Sequence, residues 1–156
     1  MQMIKDTVEL GEDPSSEHFA KRMKAIRFMA VINGRVQTFA QSFFVQNSGF
    51  NDFSGGYRRE YKLIPQDIVE DGPLGKAVLR FAEYYAIPEK TVMLMQIQTS
   101  FLHSWERSQS VTGQGIHTDG ADRAVIVCLH RGSKVIGANN QFHGALDGSA
   151  PLCEPM

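Results

Sequence analysis

The sequence predicts a mainly β domain, a β-sandwich or distorted jelly roll buttressed by a helix. Three observations carry this. The dipeptide Asn33-Gly34 separates two strand-like runs, which is the strongest short-range hairpin signal. Runs of strand type recur along the chain with Gly and Pro between them. One well-formed helical pattern stands among them, from Leu74 to about Ala86. Many strands and few helices suit two packed sheets with one helix laid against them.

Taken in order, Asp13-Pro14-Ser15-Ser16-Glu17 reads as a turn or a short helix start, because Pro and Ser favour those positions. Ile26–Ile32 then pairs with Val36–Val45 across the Asn-Gly turn. Residues 47–56 form a loop rich in Asn, Ser and Gly, flanked by Phe44, Phe50 and Phe53. Those rings either pack the loop down or make one wall of a pocket. A further strand spans Tyr57–Ile64, and Pro65-Gln66-Asp67 opens a short helical turn. Asp71-Gly72-Pro73 breaks that turn and starts the main helix. Leu74, Val78, Phe81 and Tyr85 recur on one face of it, a core-packing stripe, and Pro88 ends it. Thr91–Trp105 is the longest strand pattern. Met93, Met95, Ile97, Thr99 and Phe101 lie on one face, and Gln96, Gln98 and Ser100 on the other. The polar face suits a pocket lining or a solvated surface equally. After a loop come a strand over Arg123–His130, a turn at Arg131-Gly132-Ser133, and a strand from Lys134 to about His143. Residues 144–156 are loop-like.

At 156 residues the chain is expected to form one domain spanning 1–156. Hydrophobic residues make up 42% and charged residues 21%, a globular rather than disordered balance. A net charge of -1 and a pI of about 6.5 argue against a nucleic-acid partner held by phosphate contacts. The clusters Lys21-Arg22-Met23-Lys24 and Arg58-Arg59 are short and read as solvated faces. Cys128 sits in an apolar strand pattern and is expected to be a small buried hydrophobe; Cys153 lies in a Pro-flanked loop. The pair does not form a disulfide framework. No signal peptide is visible and no run approaches ~20 apolar residues, so a soluble, cytoplasmic protein with no membrane partner is expected.

The chemistry concentrates at His117-Thr118-Asp119, followed by Gly120. On an extended backbone residues i and i+2 share a face, so imidazole and carboxylate converge. Together they supply two thirds of a 2-His-1-carboxylate facial triad, which holds non-haem Fe(II) with open positions. Gly113-Gln114-Gly115-Ile116 leads in as a glycine-rich loop, and the apolar run from Ala124 to His130 leads out. This places the motif at the mouth of a strand, where jelly rolls hold their sites.

These residues carry a family resemblance. Gly115-Ile116-His117-Thr118-Asp119-Gly120-Ala121-Asp122 and, beyond the apolar strand, Gly137-Ala138-Asn139-Asn140-Gln141-Phe142 resemble the small bacterial 2-oxoglutarate/Fe(II) dioxygenases that hydroxylate free amino acids. The L-isoleucine 4-hydroxylases and the BsmA-type proteins are its named members. Phe43-Phe44-Val45-Gln46, Asn51 and Gly55-Gly56-Tyr57-Arg58-Arg59 also match that pattern, so the resemblance covers roughly residues 25–156. It implies a double-stranded β-helix of the cupin-like, jelly-roll kind. It implies Fe(II) as cofactor, 2-oxoglutarate and dioxygen as co-substrates, and a free aliphatic L-amino acid as substrate. His117 corresponds to the first His ligand and Asp119 to the carboxylate ligand.

The family's second His and the Arg that anchors 2-oxoglutarate lie farther along than the 39 residues that follow His117. The expectation is therefore a domain lacking its C-terminal strands. Three routes to a complete site compete: a longer protein, exchange of strands with a second copy to give a homodimer, or a third ligand from His143, His130 or His103. His143 is the best placed of these, at the end of a strand neighbouring the H-x-D strand. Arg123, Arg58 and Arg59 are candidate cations for a substrate carboxylate, with Gln98 and Asn140 as polar lining. Two other readings stay open: a non-catalytic jelly-roll binding module or inactive relative, and a metal-using cupin-like enzyme that does not consume 2-oxoglutarate.

Overall fold

The computed structural model describes residues 7–15, 21–49, 55–101, 116–117, 120–136, 140–145 and 147–152. The chain divides into two compact units. The first comprises Met1–Pro14, Arg22–Phe44 and Arg58–Thr99; the second comprises Ser15–Lys21, Val45–Tyr57 and Ser100–Met156.

In the first unit the strands are β1 (Gly11–Glu12), β2 (Arg22–Ile32), β3 (Arg35–Phe39), β4 (Phe43–Phe44), β5 (Arg59–Glu60), β6 (Lys62–Leu63) and β7 (Met93–Ser100, whose last residue belongs to the second unit). The helices are α1 (Gln66–Glu70) and α2 (Pro73–Tyr84). Strand β2 is the organiser. It pairs antiparallel with β1 through Lys24 and Met23, and parallel with β6 through Ala25 and Ile26. Phe28 to Ile32 pair antiparallel with β3. β7 also pairs with β2. Lys90 N–H donates to Val31 O and Phe101 N–H to Lys21 O, so the two strands run in opposite directions. A separate two-stranded sheet joins β4 to β5. Mainly β with few helices is the architecture of a jelly-roll domain.

The Asn-Gly hairpin forms where the sequence places it. Asn33 and Gly34 take φ of 52° and 71°, the left-handed pair that a type I′ turn needs. The Glu89 carboxylate accepts from Asn33 N–H at 3.3 Å and Gly34 N–H at 2.9 Å. The partner strand ends at Phe39 instead of Val45, because Phe43 and Phe44 turn to pair with Glu60 and Arg59. The single strand expected over Tyr57–Ile64 is for the same reason split into β5 and β6, each serving a different sheet.

Alternation along β2 sorts its two faces. Ala25 and Met29 join Val8, Val36, Ile64, Val69 and Val78 in one apolar core, with Met93, Met95 and Ile97 packed against it. Helix α2 begins with Pro73 at its first turn and delivers Val78 to that core. It stops two residues short of the expected Ala86, which takes φ of 48°. Helix α1 is tied to β3 by Glu70, whose Oε1 accepts from Thr38 N–H at 2.7 Å and Thr38 Oγ1 at 2.8 Å.

In the second unit, Gly56 N–H donates to Gln46 O at 2.8 Å, and residues 50–54 of the loop expected there, with Phe50 and Phe53, lie outside the described residues. The turn expected at 131–133 is present as a Val135 N–H bond to Gly132 O. The strands expected over Arg123–His130 and Lys134–His143 are corrected: their described residues join no ladder. Val125, Ile126 and Val127 are 61%, 65% and 68% exposed. Strand propensity is realised only against a partner edge, and among the described residues none pairs with this run. Cys128 is accordingly exposed, not buried.

Candidate functional site

The H-x-D motif lies in the second unit. His117 is half-buried, and Gly120 turns the chain just beyond it at φ 71°. A left-handed residue there costs nothing for glycine and strains any other side chain. Asp119 and Thr118 lie outside the described residues, as does His103. Among the described residues no three His, Cys, Asp or Glu side chains gather as a metal-binding group.

His143 belongs to the same unit and is half-buried. Its Nδ1 lies 2.8 Å from Ser149 O. A carbonyl only accepts, so the proton sits on Nδ1 and leaves Nε2 as the basic nitrogen. That is the arrangement in which a backbone oxygen orients a ligating imidazole. Ser149 N–H in turn donates to Asp147 Oδ1 at 2.9 Å. The Ser149 backbone and hydroxyl hold the Asp147 carboxyl below its ordinary range. Leu152 N–H to Phe142 O at 2.7 Å closes this small loop. His130 is exposed in the unpaired run.

The candidate cations separate by environment. Arg123 is exposed and donates to the Asp122 backbone at 3.0 Å. Arg58 is exposed, pairs with Glu60 at 2.5 Å and stacks 3.8 Å over the Phe43 ring. Its hydrogen bond, together with one from Ser42, holds the Glu60 carboxyl below the usual range. Arg59 is buried, with its guanidinium 5.0 Å from the Phe44 ring centre. Gln98 and Asn140 are exposed.

Sequence reasoning missed a polar centre in the first unit. Asp13, Arg22 and Lys24, with Arg59 and Tyr61, are all buried. Asp13 Oδ2 lies 3.0 Å from an Arg22 guanidinium nitrogen and 3.2 Å from Lys24 Nζ. The Tyr61 hydroxyl is 3.5 Å from Asp13 Oδ1, and Lys24 Nζ is 5.5 Å from the Tyr61 ring centre. The solvated face expected at Lys21-Arg22-Met23-Lys24 is therefore corrected at Arg22 and Lys24, and Arg59 is likewise inside. A long cationic side chain can lie inside when a carboxylate meets it. The available signal was spacing: 22 and 24, and 59 and 61, are i, i+2 pairs entering strands, each pair directed to one face.

Burial, then the nearby Asp13 charge, raises the Tyr61 phenol to about 12. Burial lowers the Lys24 ammonium from its usual 10.5; Asp13 opposes this, and the positive charges of Arg22 and Arg59 add to it.

A family model described as 2OG-Fe dioxygenase matches residues 6–151. No curated protein and no solved structure matches the chain.

Proposed function

From the premise that the chain belongs to the 2OG-Fe dioxygenase family, we propose that it hydroxylates a free aliphatic L-amino acid in the cytoplasm, as a single domain over residues 1–156. The family makes it an enzyme that uses Fe(II), 2-oxoglutarate and dioxygen. The observation that carries the iron reading is the H-x-D motif inside the matched span, and the amino-acid substrate rests on the resemblance of residues 115–122 and 137–142.

The donor set suits the metal. His117 and Asp119 offer one imidazole and one carboxylate, the borderline and hard donors that non-haem Fe(II) takes in a facial triad. His143 is our candidate for the second imidazole, on the strength of its Nδ1 contact to Ser149 O, which frees Nε2 to ligate. A longer protein, and a second copy of the chain forming a homodimer, are the other sources of that ligand. Bound there, Fe(II) supplies the oxidising chemistry by which 2-oxoglutarate and dioxygen drive hydroxylation. The protein's own task is to hold a substrate C–H close and keep water away.

The test is Fe(II)-dependent release of succinate from 2-oxoglutarate, measured with and without L-isoleucine or L-leucine. Stimulation by an aliphatic amino acid is the expected result. Turnover of 2-oxoglutarate that no amino acid stimulates would overturn the substrate while leaving the enzyme class in place.

A further inference from the structure

The turn of the β2–β3 hairpin carries chemistry of its own. Asn33-Gly34 is the one Asn-Gly step in the chain, and both residues are exposed. Asparagine is chemically labile where glycine follows it. With no Cβ beside it, the glycine amide nitrogen is unshielded and can reach the asparagine Cγ. That attack requires the nitrogen to give up its proton. Here the proton is held: Glu89 Oε1 accepts from Gly34 N–H at 2.9 Å, and Oε2 accepts from Asn33 N–H at 3.3 Å. The segment carrying Glu89 is itself fastened. Lys90 N–H donates to Val31 O at 2.9 Å, and Thr91 N–H donates to Pro88 O at 3.2 Å, closing a turn around Glu89. Backbone bonds thus set the carboxylate against the hairpin turn, all within the first unit.

We propose that Asn33 is a deamidation site that Glu89 holds unreacted. In the unguarded reaction the Gly34 nitrogen loses its proton and attacks Asn33 Cγ. An N–Cγ bond forms, the Cγ–Nδ2 bond breaks, and the leaving nitrogen takes up a proton and departs as ammonia. Water then opens the cyclic imide at either carbonyl, giving aspartate or isoaspartate at position 33. Nothing is oxidised or reduced, and neither iron nor 2-oxoglutarate takes part. A carboxylate accepting the Gly34 N–H stabilises the protonated nitrogen and opposes the anion that has to form beside it, so both effects slow the first step. The centre of the sheet is what this protects. Isoaspartate puts an extra methylene into the main chain, which a two-residue type I′ turn cannot absorb. The strand leading into that turn is β2, which pairs with β1, β3, β6 and β7.

The test is incubation of the full chain at mildly alkaline pH, folded and in urea, with peptide mapping by mass spectrometry for conversion of Asn33 to aspartate and isoaspartate. Folded wild type is expected to react at least about tenfold more slowly than the chain in urea. Glu89→Ala should raise the folded rate by about three- to tenfold and leave the rate in urea unchanged. Glu89→Gln keeps an acceptor oxygen but not the carboxylate, and its rate should fall between. Amide hydrogen exchange separates a local guard from a general brace. In Glu89→Ala the Gly34 amide should exchange faster while the β2–β3 ladder amides keep their protection. The proposal is overturned if folded and unfolded wild type react alike, if Glu89→Ala reacts at the wild-type rate or more slowly, or if the ladder amides lose protection together with Gly34. Exchange in the wild type needs no variant: a Gly34 amide that exchanges as freely in the folded chain as in urea also overturns it.

Discussion

Arg27 reaches from the central strand to the backbone oxygen of Ile64, 37 residues away. Its Nε donates to that oxygen at 2.7 Å and Nη2 donates to the same atom, while Nη1 donates to Phe39 O at 3.2 Å. One side chain thus pins the ends of β3 and β6 to β2, and Ile64 itself is fully buried. Charged hydrogen bonds to buried acceptors contribute more than neutral ones. Arg27→Met keeps the aliphatic stem and strips the Ile64 carbonyl of these donors. We expect it to lower unfolding free energy by about 1–3 kcal/mol, read as a fall in the urea midpoint at unchanged slope. A wild-type midpoint would show that the clamp is incidental.

Gly75 offers a test with an unusual sign. Alanine in a helix is normally better than glycine by about 1 kcal/mol. Here a Cβ on Gly75 would run into the backbone oxygen of Val69 and meet that of Glu70 at 3.0 Å. Those oxygens belong to α1, which is anchored to β3 and cannot give way cheaply. Gly75→Ala should therefore destabilise the protein, and thermal unfolding measures it. A raised Tm would mean that α1 and α2 can separate without penalty.

Alkaline stability follows from Tyr61. Its ordinary value is 10.0 and in the folded chain it is raised to about 12. Between these values the unfolded phenol loses its proton and the folded one keeps it. The stabilisation is complete below pH 10 and is lost as pH rises through about 12. Lys24 works in the opposite sense: its lowered value lets stability rise with pH in the window below 10.5. Equilibrium unfolding between pH 9 and 12 should show a decline above pH 10 that Tyr61→Phe flattens. An identical decline in the variant would assign it elsewhere.

The metal reading makes its own prediction. His117→Ala should abolish Fe(II) binding measured anaerobically by calorimetry. Asp119→Ala should cut succinate release by more than about a hundredfold, since loss of a direct ligand exceeds the cost of losing an outer partner. His143→Ala tests the internal source of the second imidazole. A comparable loss supports His143, and unchanged iron affinity removes His143 from the metal site. Wild-type iron affinity in His117→Ala would remove the H-x-D motif from the metal site.

What the sequence determined by itself was local or chemical. Asn33-Gly34 specifies its turn because few dipeptides accept two left-handed residues in succession. Pro73 and the apolar spacing that follows specify α2 within two residues at its end, because a helix bonds only to itself. The Met93, Met95, Ile97 alternation marked the core face of β7. The H-x-D motif was legible as donor chemistry, and the family match spans it. Tertiary structure decided the rest, where a residue's state depends on a distant partner. Phe43 and Phe44 leave the hairpin only because Glu60 and Arg59 offer another edge. Val125 to Val127, strand-like by composition, join no ladder because no described edge meets them. Arg22 and Lys24 look solvated in one dimension. Asp13, brought alongside by β1, is what allows them inside, since a buried cation is tolerated when a carboxylate meets it.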